Sequence, residues 1–66
     1  MNIAGDFILK ALQEEVEYEE LYKLFHSRFP WSIHAFEIEV KQLIDEGKVK
    51  LWQNPVTQQF CLYRQL

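Results

Sequence analysis

Apolar side chains recur at Ile33, Phe36, Val40, Leu43 and Ile44, the three- and four-residue spacing that stacks side chains on one face of a helix. Gly47 follows this run, and glycine readily takes the left-handed backbone that closes a helix. Beyond it the period drops to two. Val49 and Leu51 alternate with Lys48, Lys50 and Trp52, and Phe60 and Leu62 alternate with Gln59, Cys61 and Tyr63, the pattern of strands with one face covered. An antiparallel hairpin is predicted, with residues 53–58 as its loop; Pro55 in that loop cannot donate to a ladder, so the strands part around it.

Upstream, the pairs Ile3/Ala4, Phe7/Ile8 and Ala11/Leu12 repeat every four residues, which predicts a first core helix capped by Asn2, with Asp6, Lys10 and Gln13 outward. Gly5 inside it costs about 1 kcal/mol relative to alanine, a loss that is either tolerated or offset by close approach of another backbone. Val16 and Leu21 have the spacing of a hydrophobic staple, which makes Glu17 the N-cap of a second helix. That helix is expected over about residues 18–28, with Leu21, Leu24 and Phe25 buried, and Phe29-Pro30 ends it because a residue before proline avoids helical backbone. The third helix begins either at Pro30 or with Ser32 as cap. A short strand near Val16 would pair with the hairpin edge. The expected fold class is α+β, three helices followed by a β-hairpin, in a single domain covering residues 1–66.

This succession resembles the winged-helix (winged helix-turn-helix) family. The residues that carry the resemblance are Leu21, Leu24, Phe36, Val40 and Leu43-Ile44, then the pattern Leu43-x3-Gly47-x-Val49 and the closing Phe60-x-Leu62. The stretch from Tyr18 to Leu62, with Trp52 ending the first hairpin strand, is also similar to the small stand-alone D proteins of dissimilatory sulfite reduction. The separation of the second and third helices and the contents of the wing differ there, so no residue role is carried over. The resemblance implies that the loop of residues 53–58 is the wing. In members that bind DNA it also implies that the third helix enters the major groove while helix ends and wing touch phosphates.

Charge changes that expectation. Residues 1–30 carry six acids against three cations, residues 31–66 carry four of each, and the net charge is -3. Phosphate contacts supply most nucleic-acid affinity and need lysine or arginine, yet the wing has none and the second helix begins among Glu17, Glu19 and Glu20. These acids suit the positive end of a helix dipole and otherwise would form an acidic docking patch. A chain of 66 residues with 48% hydrophobic and 15% aromatic residues is composed as a globular domain rather than a disordered one. One cysteine, no basic-then-apolar leader, and no apolar run near the roughly 20 residues of a membrane span predict a complete, soluble, cytoplasmic protein with no membrane contact.

Catalysis is not expected. His34 and Glu37 lie three apart on the third helix, but no further ligand joins them and His26 is on another element, so neither metal nor other cofactor is expected. Cys61 lacks a base partner and reads as a packed strand cysteine, no glycine-rich phosphate loop exists, and no small-molecule substrate is evident. Binding is the remaining class. The side of the third helix opposite its apolar stripe presents Trp31, His34, Ala35, Ile38, Lys41, Gln42 and Asp45. Trp31 and Ile38, seven apart and so roughly 10 Å along a helix, are the expected anchors for a protein partner or a homodimer, with His34 and Lys41 at the rim. Alternatively, Trp31 folds back on the core. The expected function is a non-enzymatic regulator or adaptor acting through protein-protein binding, self-association included. The alternative is a regulator of transcription on double-stranded DNA, with phosphate contacts from Lys41, Lys48, Lys50 and Arg64 and base edges read by His34 and Gln42. Trp52 and Tyr63 beside Lys48 and Lys50 would also suit stacking on single-stranded bases.

Overall fold

The computed structural model describes residues 3–65. Along the chain run α1 (Ile3–Ala11), β1 (Val16–Glu17), α2 (Tyr18–Arg28), α3 (Ile33–Asp45), β2 (Val49–Gln53) and β3 (Phe60–Arg64). The strands form one antiparallel sheet in the order β1-β3-β2, so the short strand expected near Val16 exists and pairs with β3, Val16 opposite Leu62. The result is an α+β fold with a winged-helix-like layout. The expected Asn2 cap lies outside the described residues, among which no helix is long and apolar enough to cross a membrane.

The start of α2, both ends of α3 and the wing turn have local causes. Glu17 is extended and caps α2 without a side-chain hydrogen bond; Val16 before it and Leu21 after the first turn both pack on the core, as a staple requires. Ser32 decides the start of α3, its hydroxyl accepting the Ala35 amide at 3.2 Å. At the other end the Gly47 amide donates to the Ile44 carbonyl and the Lys48 amide to that of Leu43, a Schellman closure with Gly47 at φ +76°. In the wing, the Asn54 carboxamide oxygen accepts the Val56 amide at 2.8 Å, and the Gln58 amide returns to the Asn54 carbonyl at 2.7 Å. Asparagine thus builds the turn from its own side chain, and Gln58 completes it at φ +62°.

The core is filled by Ala4, Ile8 and Leu12 from α1 and its end, Leu21 and Phe25 from α2, Phe36, Val40 and Leu43 from α3, and Val49 and Leu62 from the sheet. Phe36 sits at its centre, with ring centroids of Tyr18, Tyr22 and Phe25 all within 5.3 Å of its own. Gly5 is buried in α1.

Five apolar residues assigned to the core by periodicity are instead exposed: Ile3, Leu24, Ile33, Leu51 and Phe60. Leu24 lies roughly 100° around α2 from the middle of the arc set by Leu21, Tyr22 and Phe25, and Tyr22 takes the place the pattern gave to it. Ile3 and Ile33 each open their helix, ahead of the level at which Ala4 and Phe36 meet the core. Leu51 and Phe60 do point to the inner face, in register with Leu62 and Gln53, but they lie toward the loop end of the hairpin, where both stay open to solvent.

Candidate binding surfaces

The outward side of α3 is built as the sequence predicts: His34, Ile38, Lys41, Gln42 and Asp45 are all exposed, and Ala35 is half-buried. Ile38 is 53% exposed. Lys41 is not a free cation, because its Nζ lies 3.2 Å from Asp45 Oδ2 one turn on. Trp31 departs from the expected stripe. It precedes the cap Ser32 and is not helical, so the seven-residue spacing does not aim it; its amide donates to the Phe29 carbonyl at 2.7 Å, a tight turn at Pro30. Its ring then packs against Phe29 at 5.2 Å and Phe25 at 5.7 Å between centroids, while 42% of the residue stays exposed. One side of Trp31 therefore closes the core and the other faces solvent.

The cations of the nucleic-acid alternative do not converge. Lys48 pairs with Glu46 at 3.4 Å, Lys41 with Asp45, and Lys50 and Arg64 lie on opposite faces of the sheet, since Lys50 is registered with Tyr63 and Arg64 with Val49. Nor is Trp52 a free stacking platform. Its indole Nε1 donates to Glu15 Oε1 at 2.6 Å, which holds the ring beside its cross-strand neighbour Cys61. Cys61 is buried, and burial followed by the Glu15 and Glu17 carboxylates pushes its thiol above the ordinary cysteine value. That is the opposite of a nucleophile's environment.

A further surface is not visible in the apolar periodicity. The distal hairpin stands away from α3 and leaves a groove of about 550 Å³. Its walls are Val40 and Ile44 of α3, Leu51 and Phe60 of the hairpin, and Tyr18 at the start of α2, with Glu19, Glu37 and Lys41 at its mouth. Leu51 is 43% and Phe60 50% exposed. Burial, then the Glu37 carboxylate, raises the Tyr18 hydroxyl above the ordinary tyrosine value, so it stays a neutral donor. The predicted loop of residues 53–58 would set Phe60 opposite Leu51; in the structure β2 extends to Gln53, which pairs with Phe60, and this polar cross-strand partner marks where the apolar layer ends.

Among the described residues, no three His, Cys, Asp or Glu side chains are grouped to hold a metal. No family model, curated protein or solved structure matches this chain. Function is therefore argued from these surfaces alone.

Proposed function

We propose that this chain is a small non-enzymatic winged-helix regulator or adaptor that acts by binding protein, self-association included. One observation carries the reading: apolar side chains stand open to solvent around α3, Ile38 on its outward side and Leu51 and Phe60 beside it, while the lysine of that helix is paired within its own surface. Exposed apolar groups gathered around one element are a reason for a partner. A phosphate-binding surface needs several unpaired cations instead. The half-exposed ring of Trp31 adds an aromatic anchor at the entry to α3.

Ile38→Glu tests the proposal. The residue is 53% exposed and not part of the core, so the variant should unfold with the parent's midpoint, yet it should lose self-association in sedimentation or binding of the partner, because a charge would be buried without a counterpart. Retention of a random-sequence DNA duplex at low salt, lost on removing the charges of Lys48 and Lys50, would overturn the proposal in favour of DNA binding.

A further inference from the structure

The groove between α3 and the distal hairpin has chemistry of its own. Its floor is aliphatic and aromatic, and no buried polar or charged side chain is present among the described residues to orient a small ligand by converging hydrogen bonds, as small-molecule sites do. Beyond the Tyr18 hydroxyl and Gln59, its polarity lies in the charged groups of the mouth. There the ion pairs found among the described residues engage Asp45 and Glu46, which leaves Glu19 and Glu37 without a cation, while the one lysine at the mouth is held by Asp45. The chain as a whole is at -3. A surface with an apolar floor and an uncompensated acidic rim is complementary to a segment with the opposite arrangement, apolar in its middle and positive at its flanks.

We propose that this groove binds a short cationic amphipathic segment of another protein, seating an apolar side chain among Ile44, Leu51 and Phe60 and setting lysine or arginine against Glu19 and Glu37. The inference rests on the protein-binding reading above and names the partner's chemistry. It also gives a role to Phe60 on an inner face that the core does not reach. A second copy of this chain is a poor occupant, since two like-charged surfaces would meet.

The test is an amide chemical-shift titration of the whole isotope-labelled chain with two synthetic peptides. Both carry leucines at helical spacing; one has lysines at the flanking positions and the other has glutamates at the same places. The lysine peptide should shift the amides of Tyr18, Leu51 and Phe60 and bind about tenfold more tightly, the difference a single well-placed charge interaction of about 1.4 kcal/mol makes. Glu37→Lys combined with Glu19→Gln should abolish that preference, and Phe60→Ser should weaken binding of the lysine peptide. Equal binding of the two peptides, no binding, or groove shifts that appear on raising protein concentration alone would overturn the inference. Shifts confined to His34, Ile38 and Gln42 would also sink the groove while leaving protein binding in place; shifts from duplex DNA alone would sink both.

Discussion

Two residues with left-handed backbone make opposite predictions. At Gly47 an added Cβ would meet nothing within 4 Å, so Gly47→Ala tests backbone strain alone and should cost about 1 kcal/mol. Gln58, at φ +62°, already bears that strain with a side chain present. Gln58→Asn should therefore stabilise the fold by ~0.5 kcal/mol, since asparagine tolerates this conformation better. Both are read from denaturant midpoints, and equal shifts of one sign would refute the backbone explanation. Gly47 was legible in the sequence because it ends an apolar run of helical period; Gln58 was not, because glutamine carries no preference for that conformation. Trp31 shows the same limit. Its exposure could not be inferred from spacing, since the residue lies outside the helix whose period was used to place it.

Elements were legible where one face is covered throughout. The boundaries of α2 and α3 follow from caps, the glycine closure and proline, but burial within α2 was misjudged because Leu24 and Tyr22 both suit a buried position and only the crossing of α1 and α3 decides between them. Phe36 belongs to the well-determined part. Set among Tyr18, Tyr22 and Phe25, it should be indispensable: Phe36→Ala is expected to cost about 3–5 kcal/mol, enough to leave so small a domain largely unfolded by circular dichroism. A loss below about 1 kcal/mol would mean that α3 turns another face inward.

The row formed by Trp52, Cys61 and Glu17 across the sheet is a second element-level test. Two carboxylates and burial disfavour the thiolate, so alkylation of Cys61 should be slow at neutral pH and should rise only above the ordinary cysteine range. Glu15→Gln removes one negative charge and loosens the indole, so the apparent pKa from alkylation rates should fall. A midpoint that stays in place or moves upward would contradict this account. This arrangement was not legible in the sequence, where Trp52 counted only as an outward residue; the hydrogen bond that holds its indole comes from Glu15, 37 positions away.

At the scale of the molecule, the expected architecture and the observed one agree, and the candidate surface agrees only in part. His34, Ile38 and Lys41 share the predicted side of α3, whereas the groove is lined by Leu51 and Phe60, which alternation alone assigns to the core. The order β1-β3-β2 has a consequence in time rather than in space. The strand that comes last along the chain lies in the middle of the sheet, and its Leu62 meets Val16, 46 positions earlier. β2 meets Phe60–Arg64 across a short loop, but β1 must wait for that same strand and pairs with it across all of α2, α3 and β2. Closing so long a loop slows folding. The helices and the β2–β3 hairpin should form first, and the final rate should be set by the docking of β3 on the two residues of β1.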